Sequence, residues 1–298
     1  MAIQHFLTLA DLSPADLSTI VHRAIELKKQ PDLAKKFDRY TLGLVFEKSS
    51  TRTRVAFEVA MNQLGGSSVF LTTADSQLGR GEPVEDSARV LSRMLDCIAI
   101  RTFEHGKLVK FAEYSKVPLI NALSDDFHPC QLLADMQTYI EHRGNIAGKR
   151  VAWVGDGNNM CHSYINAAAA FDFELVIACP AGFDPASHLV EANSDRVSIV
   201  RDPIAGVTGV DLVVTDVWAS MGQEAQQRKR EDAFAGFEVN TELMSNANSN
   251  ALFMHCLPAH RGEEVSAEVL DHKGSVVWDE AENRMHSQKA LLEHLLSC

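Results

Sequence analysis

Alternation of short apolar runs with amphipathic segments is the feature that most limits how this chain can fold. In the first half, apolar runs lie at 42–46, 67–71, 97–100 and 117–122. Continuous apolar runs are typical of strands buried on both faces, and the apolar spacings of three and four between them are typical of helices. The pattern therefore predicts a parallel sheet with helices packed on both of its faces.

A second alternation begins at Arg150, and its apolar runs lie at 150–154, 175–178, 197–200, 210–215 and 251–254. A chain of 298 residues is also too long for one ordinary core. We therefore predict an α/β protein of two doubly wound domains, residues 1–142 and 143–283. A last helix, predicted near 287–296 within the segment 284–298, is expected to return to the first domain.

The composition excludes several classes of protein. A formal net charge of −12 argues against nucleic acid as a partner, so an anionic substrate would need a local cluster of arginines. No apolar run approaches the length of a membrane span, and the N-terminus lacks a basic region ahead of an apolar one. The six cysteines form no CxxC pair, which indicates reduced thiols. A cytoplasmic location without membrane attachment is expected.

The stretch 49–54 combines four hydroxyl residues with Arg52 and Arg54, between a predicted strand and a predicted helix. The simple alternative is that Ser50 or Thr51 caps the helix and both arginines are surface charges. Arginine in the first turn opposes the helix dipole, however, and an anion would remove that conflict. Backbone N–H groups at a helix N-terminus also favour an anion. The stretch predicts a site for phosphate or another small dianion.

Further polar residues follow the ends of predicted strands, where ligands of parallel α/β sheets bind. Arg101 and His128 lie at such positions, and with Arg52 and Arg54 they are expected to converge on one site. His128 precedes Pro129, so it is presented from an extended loop. A loop histidine that merely decorates the surface is the alternative interpretation.

Two glycine-containing turns leave alternatives open. The run 155–157 resembles part of a dinucleotide fingerprint, but Met160 stands where the third glycine would be. Asn158 and Asn159 suit the carboxylate or ammonium group of a zwitterion instead. The run 215–222, with Asp216 at a strand's end, is consistent with a binding loop or with a plain surface loop.

The pair His255–Cys256 also ends a predicted strand. Zinc is disfavoured because adjacent ligands chelate poorly and no second pair stands at metal spacing. A nucleophilic cysteine would need a base within hydrogen-bond reach. The sequence offers His255 or a distant aspartate for that role and does not choose between them.

Taken together, four motifs resemble those of the carbamoyltransferases, in the same order along nearly the whole chain: 50–54, 128–131, Asp216 with 220–222, and 255–258. The Ser-Met-Gly and His-Cys-Leu-Pro runs resemble the ornithine branch of that family. The resemblance implies transfer of a carbamoyl group from carbamoyl phosphate to the δ-amine of L-ornithine, giving L-citrulline and phosphate. It also implies a role in arginine biosynthesis, no metal or organic cofactor, and a homotrimer or an assembly of trimers.

The resemblance further implies site residues. The carbamoyl phosphate set comprises Ser50, Thr51, Arg52, Thr53, Gln77, Arg101, His128, Gln131, Cys256, Leu257 and Arg284. The ornithine set comprises Asn159, Asp216, Ser220 and Met221. Arg101, His128 and Cys256 are the implied catalytic residues, and Gln77 is implied to serve the site of a neighbouring subunit. Negative charge on the carbonyl oxygen would be stabilised by donors such as Arg101 and His128.

Three rival functions are consistent with parts of the sequence. A sister transferase would act on putrescine, N-acylated ornithine or aspartate; Asp216 favours a free α-amino acid, because an acylated amine has no charge to pair. A nicotinamide-dependent oxidoreductase would use the turn at Gly155. A non-catalytic anion-binding protein of the same fold is the third.

Overall fold

The computed structural model describes residues 3–72, 81–219 and 227–297. The chain divides into two compact units: unit 1 is Met1–Gln137 with Glu282–Cys298, and unit 2 is Thr138–Ala281. Each unit contains one parallel sheet flanked by helices, which confirms the predicted α/β class. The predicted bounds of 1–142 and 143–283 stay a prediction; the points of division lie within two helices, α5 (Pro129–Arg143) and α12 (Val277–Leu295).

The sheet of unit 1 has four strands in the order β2-β1-β3-β4, all parallel. The strands are β1 (Thr41–Phe46), β2 (Ser67–Thr72), β3 (Cys97–Arg101) and β4 (Leu119–Leu123). The helices are α1 (Pro14–Lys29), α2 (Thr51–Gln63), α3 (Val84–Leu91) and α4 (His105–Tyr114), followed by α5. All residues of β3 are buried, as expected for a central strand with helices on both faces.

The helix α2 buries only part of its predicted apolar pattern. Phe57, Met61 and Leu64 are fully buried, so they fix the helix against the sheet. Val55 and Val59 belong to the same apolar spacing but are 52% and 38% exposed. The helix therefore has an apolar face toward the core of unit 1 and a second, exposed apolar strip.

The sheet of unit 2 has five strands in the order β7-β6-β5-β8-β9, again all parallel. The strands are β5 (Arg150–Val154), β6 (Glu174–Ala178), β7 (Val197–Val200), β8 (Leu212–Thr215) and β9 (Leu252–His255). The helices are α6 (Asn159–Phe171), α7 (Ser187–Ala192), α8 (Pro203–Val207), α9 (Gln227–Ala233), α10 (Thr241–Met244) and α11 (Ala267–Leu270). Fully buried β-branched residues such as Val151 and Val213 form the centre of this sheet.

Each sheet contains a point at which the strand order reverses. In unit 1 the chain places β2 on one side of β1 and β3 on the other, and Phe46 lies opposite Arg101 in the register. In unit 2 the reversal falls between β5 and β8, where Val154 lies opposite Thr215. Such switch points open a crevice at the carboxyl ends of the strands, where ligands bind. The fold therefore marks one candidate position in each unit.

The C-terminal helix α12 packs in unit 1, as predicted. Its Glu293 accepts a hydrogen bond from Arg23 of α1 at 2.8 Å, and its Lys289 donates to Gln63 of α2 at 2.9 Å. Asn283 accepts from Gln137 of α5 at 3.1 Å. The helix begins at Val277, ten residues before the predicted start near 287. Residues 279–284 of this helix are mostly polar or charged, so the apolar pattern that guided the prediction becomes visible only later in the helix.

The sequence predicts that the chain has no membrane span and that its cysteines are reduced. Among the helices in the described ranges, none combines the length and the apolar character needed to cross a bilayer. The five cysteines in these ranges, 97, 130, 161, 179 and 256, are free thiols. Four of them are buried, where cysteine packs as a small apolar side chain.

Candidate active site

The loop after β1 leads directly into the N-terminus of α2. Ser50 is the N-cap: its Oγ accepts a hydrogen bond from the Thr53 backbone N–H at 3.3 Å. Thr51 and Arg52 occupy the first helical positions and are exposed. The first N–H groups of a helix lack carbonyl partners within the helix, and the dipole adds positive potential there. The loop thus presents hydroxyl, N–H and guanidinium donors suited to a small dianion.

Arg54, the second arginine of this loop, has protein partners. Its Nε donates to Glu58 Oε1 at 3.0 Å, and its guanidinium carbon lies 3.7 Å from the centroid of the Phe70 ring. These contacts engage both the edge and the face of the guanidinium group. Arg54 also lines an open cleft of about 630 Å³ with Ser50. The engaged side chain favours a structural role, and Arg52 stays the predicted ligand.

Two arginines and a histidine are buried together in unit 1. Arg101 ends β3, His128 immediately precedes α5, and Arg284 lies on α12. Burial lowers the pKa of His128 well below its usual range, and the charges of Arg284 and then Arg101 lower it further. The imidazole is therefore neutral at neutral pH and retains one N–H donor. This cluster can stabilise negative charge on a bound oxygen without supplying an acidic proton.

Arg284 of α12 donates hydrogen bonds to two other residues of the predicted carbamoyl phosphate set, Gln131 and Thr53. Its Nη1 donates to Gln131 Oε1 at 2.6 Å, and its Nη2 donates to Thr53 Oγ1 at 3.1 Å. Gln131 in turn donates from Nε2 to Asp135 Oδ1 at 2.9 Å. All four residues are buried. Buried, charge-assisted bonds of this kind hold their members in one geometry.

In unit 2 the candidate site is centred on Asp216, which follows β8 at the switch point. Its Oδ2 accepts from the Asn158 amide at 2.9 Å, and its Oδ1 accepts from Cys256 Sγ at 3.2 Å and from the Val217 N–H at 2.8 Å. Asn158 also caps α6, because its Oδ1 accepts from the backbone of Met160. These three donors are neutral groups, so none of them offsets the negative charge that the carboxylate offers to a ligand.

The ring nitrogens of His255 are directed at groups other than the Cys256 thiol, so His255 is not placed to act as its base. Its Nδ1 accepts from the Leu257 N–H at 2.9 Å, and its Nε2 lies 3.0 Å from Glu264 Oε1. Nδ1 therefore carries the lone pair and Nε2 the proton, which it donates to Glu264. Both ring nitrogens are engaged, and the group in contact with the thiol is Asp216. His255 holds the turn at Leu257, whose φ of 55° is unusual for leucine.

This arrangement also bears on the zinc interpretation. The donor atoms of Asp216, His255 and Cys256 lie within 4.8 Å of one another. A metal, however, requires a free lone pair on the imidazole, and the only one is directed at the Leu257 N–H. The structure therefore favours a hydrogen-bonded thiol and carboxylate over a preformed metal site at this position.

The turn after β5 does not provide the open backbone that a dinucleotide requires. A Cβ built on Gly157 would lie 2.1 Å from the Pro185 nitrogen, so the glycine is needed for packing against another loop. The Gly157 N–H donates to the Phe183 carbonyl at 2.9 Å. At the helix N-terminus that follows, the Asn158 side chain already accepts from the first N–H groups. The donors that would bind a pyrophosphate are used within the protein.

Comparison with known proteins identifies the family of the chain. The family model described as "Aspartate/ornithine carbamoyltransferase, carbamoyl-P binding domain" matches residues 4–141, and that described as "Asp/Orn binding domain" matches residues 147–295. The chain belongs to the aspartate/ornithine carbamoyltransferase family. An ornithine carbamoyltransferase from Hydrogenovibrio crunogenus is 62% identical over 300 residues, which cover 100% of this chain and 99% of the relative.

Solved structures of the carbamoyltransferase family share the fold. The crystal structure of ornithine carbamoyltransferase from Burkholderia thailandensis is 52% identical, with a TM-score of 0.92 and 99% of each chain covered. That of an anabolic ornithine carbamoyltransferase from Campylobacter jejuni is 42% identical, with a TM-score of 0.93 and 98% of this chain and 99% of that chain covered.

The residues predicted from the family resemblance fall into separate groups. Unit 1 contains the cluster of Thr53, Arg101, His128, Gln131 and Arg284 and the α2 N-terminus with Ser50, Thr51 and Arg52. Unit 2 contains Asp216 in contact with Cys256, with Asn159 at the start of α6 and Leu257 in the turn after β9. Gln77, Ser220 and Met221 lie outside the described residues. Their predicted roles, like those of the other site residues, stay predictions.

Reasoning from the residues alone missed several members of these sites. Arg284 is named only by the resemblance, because nothing in the pattern of α12 separates it from other polar residues of that helix. Asp135 stands four residues after Gln131 on α5, a spacing that places both side chains on one face. The sequence assigns Asn158 to a ligand, but this residue directly precedes an apolar helix, the usual position of a cap, and its side chain caps α6 and donates to Asp216. The spacing on α5 and the cap position before α6 could have revealed these supporting roles.

The depressed pKa of His128 predicts a change in pH-dependent stability. Above pH 6.5, the reference value for histidine, the ring is neutral in the folded and unfolded chain. As the pH falls below 6.5, the unfolded chain binds a proton that the folded protein excludes, so the free energy of unfolding decreases. His128→Asn should therefore lose less stability than the wild type on going from neutral to mildly acidic pH.

Urea unfolding of both proteins across this pH range measures the difference. His22→Asn, which removes an exposed histidine from α1 of the same unit, is the matched control. Parallel pH profiles for His128→Asn and the wild type would contradict the assignment of a neutral, buried imidazole.

Proposed function

We propose that this chain transfers the carbamoyl group of carbamoyl phosphate to the δ-amine of L-ornithine, giving L-citrulline and phosphate. The observation that supports the proposal most strongly is the kind of side chain found at the switch point of each unit. Unit 1 supplies buried cationic donors beside a helix N-terminus, and unit 2 supplies a carboxylate with a neutral thiol at its side. The family relationship, with a relative named for this activity at 62% identity over the full length, supports the same assignment.

Carbamoyl phosphate is assigned to unit 1. Its phosphate accepts from the backbone and hydroxyl donors of Ser50, Thr51 and Thr53 at the start of α2, and from Arg52. A helix N-terminus and a guanidinium group together stabilise a dianion both before and after the bond to carbon breaks. The leaving phosphate therefore needs little help from a general acid.

The carbonyl oxygen of carbamoyl phosphate is assigned to Arg101 and His128. When the amine attacks, negative charge develops on this oxygen, and preorganised donors lower the energy of the tetrahedral intermediate. The low pKa of His128 fits the role of a neutral hydrogen-bond donor. Arg284 holds Gln131 and Thr53, so it supports both ends of the substrate.

Ornithine is assigned to unit 2, with its α-amino group on Asp216. The side chains of Asn158 and Cys256 orient that carboxylate, and the family resemblance adds Asn159, Ser220 and Met221. The δ-amine must be neutral to attack, and the family resemblance assigns Cys256 to a position beside it. We assign no further carrier for this proton.

Asp216→Asn tests the ornithine assignment. The amide keeps the shape of the side chain but loses the charge that pairs with the ammonium, an interaction worth roughly 1.5–3 kcal/mol. We expect the KM for ornithine to rise by about tenfold or more, while the KM for carbamoyl phosphate stays near the wild-type value. Steady-state kinetics with each substrate varied in turn gives both constants.

Asp184→Asn, which removes a carboxylate paired with Arg201 at the surface of the same unit, serves as the control. An unchanged ornithine KM and kcat in Asp216→Asn would remove the assignment of ornithine to this carboxylate.

The amine specificity distinguishes this function from that of a sister transferase. Carbamoyl transfer is measured side by side with ornithine, putrescine, N-acetylornithine and aspartate. Asp216 favours an amine acceptor that also carries a free α-ammonium group, so ornithine is expected to be the best acceptor. A higher kcat/KM for any of the other three would overturn the choice of substrate and retain the reaction type.

The proposal includes an assembly and a cellular role. We propose a homotrimer on the basis of the family resemblance, and the apolar surface that Val55 and Val59 on α2 and Val69 on the edge strand β2 expose supports an association of chains. Exposed apolar patches of this kind mark association surfaces, and sedimentation velocity gives the number of chains. A cytoplasmic location and a part in arginine biosynthesis follow from the composition and the family resemblance.

A further inference from the structure

An ion pair beside the candidate ornithine site has no role in the function proposed so far. Arg230 of α9 donates from Nη1 to Asp156 Oδ2 at 2.6 Å, and the same group donates to the Trp218 carbonyl at 2.6 Å. The side chains of Arg230 and Asp156 are only 10% and 13% exposed. Asp156 follows β5 and Trp218 follows β8, so Arg230 reaches both sides of the switch point.

Asp156 and Asp216 follow the neighbouring strands β5 and β8, whose register places Val154 opposite Thr215, so the two carboxylates lie at the same edge of the sheet. Burial raises the pKa of Asp156, the bond and charge of Arg230 lower it, and the negative charge of Asp216 raises it. Two carboxylates at one site cannot both remain charged without a cation, because their repulsion is strong where water is scarce. Arg230 supplies that cation to Asp156, whereas Asp216 accepts hydrogen bonds from an amide, a thiol and a backbone N–H, which are neutral groups.

We propose that Arg230 is a positioning residue that balances the charge of Asp156, so that Asp216 remains the single unbalanced carboxylate offered to the ammonium group of the substrate. The inference rests on the ornithine function proposed above. With both partners present, the three side chains carry a net charge of −1, which suits one ammonium group. Removal of Arg230 alone gives −2 or a protonated carboxylate, and removal of the Asp156 charge alone gives zero.

A double variant distinguishes an electrostatic role of Arg230 from a role in which its hydrogen bonds only hold the two turns in place. If Arg230 acts through charge, Arg230→Gln and Asp156→Asn each lower kcat/KM for ornithine by roughly tenfold, the scale of one charge-assisted contact. The double variant Asp156→Asn with Arg230→Gln restores the net charge of −1 and should recover to within about threefold of the wild type. If Arg230 only braces the turns, the double variant lacks the same bonds and stays as impaired as the single variants.

The pH profile of Arg230→Gln gives a second readout. The groups around Asp156 are Arg230, Asp216 and the thiols of Cys161 and Cys179. Burial raises the pKa values of both thiols, so the thiols remain neutral in this range. Without Arg230 the pKa of Asp156 rises further. Protonation at lower pH then restores a net charge of −1, so the activity of the variant relative to wild type should increase as the pH falls.

The experiment measures kcat/KM for ornithine and the KM for carbamoyl phosphate in the wild type, the two single variants, the double variant and Arg230→Lys. Citrulline formation by the wild type comes first; its failure would reject the proposed function itself. Impaired single variants, a recovered double variant and an unchanged carbamoyl phosphate KM support the inference. A double variant as impaired as Arg230→Gln overturns it.

Arg230→Lys is included in case Arg230→Gln does not fold, because lysine keeps the positive charge next to Asp156. It should retain more activity than Arg230→Gln and the pH profile of the wild type. If Arg230→Gln is unfolded in circular dichroism, the double variant decides alone: a folded double variant with a more than tenfold loss in kcat/KM for ornithine overturns the inference.

Discussion

Replacing Arg52 with alanine is expected to raise the dissociation constant for carbamoyl phosphate by roughly 10- to 100-fold. Arg52 lies in the first turn of α2, directly after the N-cap Ser50. A guanidinium group at this position contributes a charge-assisted contact to a phosphate, worth roughly 1.5–3 kcal/mol. The remaining N–H and hydroxyl donors of the helix N-terminus would still bind the anion, so affinity should fall without vanishing.

Isothermal titration with carbamoyl phosphate measures this change directly. Arg89→Ala, which removes an exposed arginine paired with Asp86 in the same unit, is the control for a lost surface charge. Arg54→Ala is the comparator: its guanidinium is engaged by Glu58 and Phe70, so its loss should weaken binding less. An effect of Arg54→Ala equal to or larger than that of Arg52→Ala would reverse the two assignments.

Replacing Arg101 with glutamine is expected to lower kcat by roughly 100- to 1,000-fold, the usual effect of removing one donor to a developing oxyanion. Arg101 is 8% exposed, so its charge is poorly screened by water. The charge of Arg101 lowers the pKa of His128, which indicates that the two side chains face the same part of the site. Glutamine retains a hydrogen-bond donor but not the charge, so the loss isolates the electrostatic part of the role.

Steady-state rates at saturating ornithine and carbamoyl phosphate give this kcat, with Arg89→Gln as the control. A kcat within about threefold of the wild type, far below the loss expected for an oxyanion donor, would show that Arg101 does not act on the reacting carbonyl.

Local patterns predicted the elements of this fold well. Strands such as Cys97–Arg101 are continuous apolar runs, and each run is set by burial on both faces, a property that sequence records directly. The start of α2 was likewise readable, because Ser50 caps it through a contact only three residues away. The start of α12 at Val277 was missed, since residues 279–284 are mostly polar or charged and the apolar pattern of the helix emerges later.

Contacts between distant parts of the chain could not be predicted in the same way. Arg284 meets Thr53 across 231 positions, and Arg230 meets Asp156 across 74. Such pairs depend on how strands and helices are arranged, and a charged residue on a helix carries no local sign of its partner. His255 illustrates the converse: its sequence position beside Cys256 suggested a base, but its ring is turned toward Leu257 and Glu264.

The measurement that tests the central claim most directly is citrulline formation from carbamoyl phosphate and L-ornithine by the purified protein. We expect citrulline and inorganic phosphate in equal amounts, with Arg101→Gln as the impaired variant and no requirement for nicotinamide nucleotide. Absence of citrulline with ornithine, in a folded protein that binds both compounds, would contradict the proposed reaction.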